Sequence, residues 1–149
     1  MTRWLPAMLW GSMLILIFYF SSQAASSENS AAWLLGFLRA IAPQLAEQLT
    51  PECLKALNYI FRKMGHGTGY LLLTLVGYWA FRRSFGMESA PALRWAILTS
   101  LLRAVLDEIH QAFVPGRTGT PVDVMIDAVG IALAAWLIRR RMRIGQQAR

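Results

Sequence analysis

Apolar residues along this chain fall in long blocks separated by short charged or polar stretches. The first block, Trp4 to Phe20, carries no charge. It is about the shortest run that crosses a hydrocarbon core of roughly 30 Å at 1.5 Å per residue. The pattern predicts a first membrane helix near 4–20, with Trp4, Trp10 and Tyr19 toward its ends like interface anchors. A secretory signal is the competing reading, with Arg3 as its basic start and Ser22, Gln23, Ala24 and Ala25 as a cleavage region. The length of the block and its aromatic ends favour a retained helix. Ser21 to Ser30 reads as a polar loop.

From 31 to 63 apolar and polar residues alternate with several charges, and Pro43 and Pro51 divide the stretch into pieces too short to cross a membrane. Trp33, Leu34, Phe37, Leu38 and Ile41 recur at helical spacing, which predicts an amphipathic segment lying at the interface as a roof over the bundle. Three further helices are predicted near 64–81, 92–113 and 121–138. The first ends at Arg82 and Arg83, and a turn around Gly86 and Pro91 precedes the second. The last starts at Pro121, with Thr120 available as a cap, and stops at a run of arginines that opens a basic tail, 139–149. The expected fold is a single all-α integral membrane domain, 1–149, with four transmembrane helices and an amphipathic outer-side segment between helices one and two.

Composition agrees: 56% of residues are hydrophobic and 15% charged. The formal net charge of +7 raises the question of a nucleic-acid partner, which the placement of the charges answers. With both termini cytoplasmic, that side holds Arg3, Arg82, Arg83, Arg94, Arg139, Arg140, Arg141, Arg143 and Arg149 against Glu88 alone. The rest of the chain has six basic residues against seven acids. This is the positive-inside asymmetry of a multi-pass membrane protein, and no nucleic acid is expected. Binding of anionic headgroups is the rival use of the 139–143 arginines. One cysteine, Cys53, rules out an internal disulfide or a thiolate cage and reads as a packing residue.

In that topology Ser21, Ser22, Gln23, Arg62, His66, Asp107, Glu108, His110, Gln111, Arg117, Asp123 and Asp127 all map to one end of the helices or its loops. Arg62, His66 and Tyr70 advance by about 40° at each step of four and share a face. Gly69 and Gly77 lie near it, small enough to admit a neighbouring helix. Arg103, Asp107, His110 and Gln111 fall within a sector of about 100°, with Glu108 about 60° outside it and so without Arg103 as a local partner. Asp123 and Asp127 form another four-residue step, continued by Gly130. An ionisable group near the centre of a membrane helix costs about 2.5–3.5 kcal/mol or more, so the gathering requires either internal pairing or a functional pocket. In the pairing account Arg103 meets Asp107, and Arg62 and Arg117 neutralise Asp123 or Asp127. In the pocket account His66, Asp107 and Asp123 line one cavity.

Ser21-Ser22-Gln23, Arg62-Lys63 followed by His66 and Tyr70, Asp107-Glu108 followed by His110-Gln111, Phe113-Val114-Pro115-Gly116-Arg117, and Asp123 with Asp127 and Gly130 together resemble the VanZ-like family of bacterial membrane proteins. The stretch from Asp107 to Arg117 is the most specific part. Family members often carry Asn where this chain has Asp127. The resemblance implies a cell-envelope protein of the plasma membrane, in a family whose namesake is linked to teicoplanin resistance. It carries over Ser22, Gln23, Lys63, His66, Tyr70, Asp107, Glu108, Gln111, Arg117, Asp123 and Asp127 as site residues.

Two classes of function follow. The first is a polar outer-side pocket that handles an amphiphilic envelope component, meaning a membrane lipid, a lipid-linked component or a lipoglycopeptide antibiotic. Ser22, Gln23, Arg62, Lys63, Tyr70, Gln111, Arg117, Asp123 and Asp127 are its candidate binding residues. The second is an enzyme acting on a lipid headgroup by acid–base chemistry, with His66, Glu108 and Asp107 as candidate catalytic groups and Arg62 and Arg117 gripping the anionic part. No nucleophile-elbow sequence is present around Ser21 or Ser22. No cofactor is expected; a metal held by His66, Asp107 and His110, with Glu108, Asp123 or Asp127 as further ligands, is the weaker alternative, and the oligomeric state stays open. Reporter fusions after Arg149 and at Glu88 are both expected to read cytoplasmic, and a signal from the opposite side at either point would overturn the topology.

Overall fold

The computed structural model describes residues 2–22, 27–115, 117 and 119–147. It contains six helices and, among the described residues, no strand: α1 Leu5–Ser21, α2 Ser27–Ile41, α3 Pro43–Gln48, α4 Pro51–Arg83, α5 Ser89–Ala112 and α6 Pro121–Gln147. The longest, α4, starts as the chemistry of helix ends dictates. Pro51 stands in the first turn, where its missing N–H costs nothing, and the Thr50 side chain accepts from the Cys53 N–H at 3.3 Å.

α4 is the axis of the bundle and packs against α1, α2, α5 and α6. It also corrects the sequence reading, which starts a helix near Met64 and leaves 51–63 in a separate segment. Charges at Glu52, Lys55, Arg62 and Lys63 interrupt the apolar pattern but not the backbone, since no proline follows Pro51 before Pro91. Likewise α6 continues through the arginines to Gln147. Cys53 is exposed rather than packed. α2 lies on α3 and α4, tied by the Asn58 Nδ2 donor to the Ser27 carbonyl at 2.9 Å. Its Trp33, Phe37 and Ile41 protrude, as an interfacial face would.

Small residues set the packing. Ala80, Ala92, Ala96, Ala104 and Ala134 are fully buried, so helices touch with short side chains between them. The tightest approach is between α4 and α6, where a Cβ at Gly130 would strike the carbonyl oxygen of Gly67. Gly77, by contrast, receives the edge of Trp10 from α1, and Gly69 meets no side chain. The Arg3 Nε donates to the Ser84 carbonyl at 3.2 Å and Ser84 Oγ returns a bond to the Arg3 carbonyl at 2.8 Å, pinning the start of α1 to the end of α4.

The distribution of polarity is inverted. Leu98, Leu102, Leu106 and Ile109 on α5 and Met125, Val129, Leu133 and Trp136 on α6 are exposed, while Thr74, Ser100, Asp107, Glu108, Gln111, Asp123 and Asp127 are buried. Among the described residues one helix, over Pro121–Gly145, is long and apolar enough to cross a membrane; α1 is apolar but 17 residues long. Gly130→Ala should separate intrinsic preference from packing. Alanine gains about 1 kcal/mol of helix propensity over glycine, yet here the added methyl meets backbone. Its melting temperature in detergent is expected to fall by an amount equivalent to about 1–3 kcal/mol. Gly36→Ala, whose Cβ meets nothing within 4 Å, should not fall. Equal behaviour of the two would disprove the close contact.

Candidate functional site

The end of the bundle opposite the Arg3–Ser84 junction gathers polar groups from every long helix. α4 brings Arg62, Lys63, His66 and Tyr70, while α5 brings Arg103, Asp107, Glu108 and Gln111. The connector supplies Arg117 and Thr120, and the first turns of α6 supply Asp123 and Asp127. Gly119 lets the connector lie on α5, since a Cβ there would strike the Glu108 carbonyl oxygen. Thr120 then caps α6, its Oγ1 accepting from the Asp123 N–H at 3.2 Å and donating to Asp123 Oδ2 at 3.0 Å.

Each buried carboxylate is held in a different way. Asp123 pairs with the Lys63 ammonium across the α4–α6 contact. His66 Nδ1 lies 3.2 Å from Asp127 Oδ1 and 3.9 Å from Glu108 Oε1. Arg103 Nη2 stands 3.0 Å from Asp107 Oδ1; because both atoms lack a well-angled hydrogen bond, charge attraction rather than a directed bond holds this pair. Gln111 links them: its Nε2 donates to Asp107 Oδ2 at 3.1 Å and Glu108 Oε1 at 3.2 Å, and its carbonyl accepts from Arg117 Nη2 at 2.8 Å. The Thr120 N–H donates to Glu108 Oε2 at 2.8 Å. Burial, and after it the charge of nearby Arg62, pushes the Arg117 guanidinium below its ordinary value.

Beside this cluster α1, α2 and α4 line an open cavity of about 520 Å³. Ile17, Phe20, Trp33, Phe61 and Leu72 give it apolar walls. Its polar end is formed by Ser21, Arg62, His66, Tyr70, Asp107 and Arg117. Among the described residues Arg62 has no ion-pair partner. The buried Tyr70 hydroxyl has no hydrogen-bond partner either.

The structure thus brings together most of the residues singled out from the sequence, with corrections. Asp123 does not line the cavity with His66 and Asp107; it sits behind them, neutralised by Lys63. The partners of Asp123 and Asp127 are Lys63 and His66, not Arg62 and Arg117. Glu108 makes no ion pair with Arg103, which turns to Asp107, and is gripped instead by Gln111 and Thr120. His66, Asp107 and His110 do not gather as a ligand set: Asp107 turns to Arg103, and the His110 ring lies 4.9 Å from that of Phe18. Ser22 donates to the Tyr19 carbonyl at 2.5 Å at the end of α1, and Ser21 lines the cavity in its place. Gln23 lies outside the described residues, as does Gly116. Thr120 is a site residue the sequence identifies only as a cap.

An all-helical bundle with apolar flanks and ionisable residues drawn inside one end is the architecture of this chain. The family model described as VanZ/LLP1 matches residues 6–143, and the chain belongs to that family. No curated relative and no solved structure matches it.

Gln111 is 1% exposed and bridges two carboxylates to a guanidinium. Gln111→Met keeps its length and removes the bridge. It is expected to cost about 1–3 kcal/mol for each buried group deprived of its bond, read as a lower melting temperature in detergent. An unchanged melting temperature would mean that the bridge contributes no stability.

Proposed function

We propose that the chain is a multi-pass envelope protein in which α1, the second half of α4, α5 and the first part of α6 cross the plasma membrane. Both termini are cytoplasmic, and the polar end faces outward. The exposed aliphatic faces of α5 and α6 support this, because in water they would form a large apolar surface, whereas a bilayer covers them. The arginine-rich end carries the positive-inside bias.

The cavity carries the functional reading: it binds an amphiphile with an apolar chain and an anionic head. Its walls suit an acyl or prenyl chain, and at its polar end two guanidinium groups stand beside each other, Arg62 without an acidic partner. A shared anion relieves the repulsion between them and supplies the acceptor that Arg62 lacks. Envelope phospholipids, lipid-linked phosphates and lipoglycopeptides of the teicoplanin class all combine a chain with a charged head. Direct titration with each separates them.

The test is native mass spectrometry of the protein in neutral detergent, titrated with an alkyl phosphate and with an alkyl glucoside of the same chain length. The phosphate should bind one per chain and the glucoside much more weakly. Arg62→Gln and Arg117→Lys are expected to weaken phosphate binding about tenfold or more, the value of one or two charge-assisted hydrogen bonds. Equal binding of both amphiphiles would refute an anion-selective head site. Release of a cleaved or modified product from a natural envelope lipid would move the reading to the acid–base enzyme.

A further inference from the structure

Behind the cavity, His66 Nδ1, a Glu108 oxygen and an Asp127 oxygen lie within 4.8 Å of one another. We propose that these three side chains form a binding site for a divalent transition-metal ion of the Zn²⁺ or Mn²⁺ type. The site goes beyond the amphiphile reading and shares only His66 with the cavity lining.

The spacing fits. Ligands about 2.0–2.2 Å from a tetrahedral ion stand roughly 3.3–3.6 Å apart. The two separations from His66 Nδ1, 3.2 Å to Asp127 and 3.9 Å to Glu108, bracket that range. The Glu108 and Asp127 oxygens, within 4.8 Å of each other, close on an ion by rotation of the two carboxylate side chains. The donor set, one imidazole nitrogen and two carboxylates, suits Zn²⁺ or Mn²⁺; it lacks the thiolate that softer ions prefer and includes the imidazole that Mg²⁺ and Ca²⁺ seldom use.

Charge and hydrogen bonding point the same way. Asp123 has Lys63 and Asp107 has Arg103, whereas the ion-pair contacts of Glu108 and Asp127 are both to His66, two carboxylates to one imidazole. Asp127 is fully buried, yet among the described residues its Oδ2 has no hydrogen-bond partner. Such an atom is a costly feature unless it serves as an acceptor for something outside the protein, and an ion held by both Asp127 oxygens would satisfy Oδ2 while taking over Oδ1 from His66. Glu108 is meanwhile oriented from behind by the Gln111 amide and the Thr120 N–H, the kind of outer support that metal-binding carboxylates have. The ion takes the place of the proton between His66 Nδ1 and Asp127; that proton moves to Nε2 of a neutral imidazole, or leaves to solvent from an imidazolium. Three protein ligands leave coordination positions for water or a ligand oxygen.

The experiment uses the untagged full chain in detergent, stripped with a chelator, dialysed and titrated with Zn²⁺ alone by calorimetry. Co²⁺ in its place reports coordination through visible absorption. One ion per chain is expected, together with the absorption of nitrogen- and oxygen-ligated cobalt. Asp127→Asn and Glu108→Gln should each weaken binding tenfold or more, while His110→Asn, which alters the only other histidine, should leave it unchanged. Absence of saturable binding to the wild-type chain would overturn the site, as would wild-type affinity in both carboxylate variants. The wild-type titration needs no variant, so a substitution that fails to fold leaves the test intact. Alkyl phosphate binding is measured separately, and its failure would not affect this result.

Discussion

The backbone contact between α4 and α6 at Gly67 and Gly130 is the constraint on which the polar site depends. Lys63 reaches Asp123, His66 reaches Asp127 and Gly67 meets Gly130, so the two helices run parallel and in step along the contact. The short imidazole of His66 meets a carboxylate on a neighbouring helix only because nothing separates the backbones there. Wider spacing would strand Asp127, which is fully buried, without its histidine, and an unpaired buried charge costs several kcal/mol.

α5 and the connector close the remaining side. The connector lies against the last turn of α5 because Gly119 adds no side chain between them, and this aims the Thr120 N–H at Glu108 while Thr120 caps α6. One residue thereby fixes a carboxylate on one helix and the start of the next. Gln111 completes the layer as both donor and acceptor, a role no purely anionic or cationic side chain fills. The result is a dense polar layer inside an apolar exterior. In a bilayer its preorganisation is strong, since water is scarce and each interaction is weakly screened.

That layer divides the site into two parts with different chemistry. Toward α1 and α2 lies the open cavity with its apolar walls and paired guanidinium groups. Behind it lies the compact group of His66, Glu108 and Asp127. His66 belongs to both, through its place on the cavity wall and its contacts to the two acids.

The sequence by itself determined the helical class, the start of α6 at Pro121 with its Thr120 cap, the family through Asp107 to Arg117, and which residues cluster at one end. These follow from hydrophobic periodicity, end chemistry and charge placement, all local properties of the chain. It did not reveal that α4 is one helix from Pro51 to Arg83, because the charges and glycines that break an apolar pattern need not break a backbone whose neighbours pack against it. Nor could it choose partners. Asp123 and Asp127 share a helical face, yet one takes Lys63 and the other His66, and Glu108 acquires Thr120 from a connector twelve residues on. A helical wheel gives direction but neither depth nor the identity of the opposing helix; those were decided when Gly67 and Gly130 allowed α4 and α6 to touch.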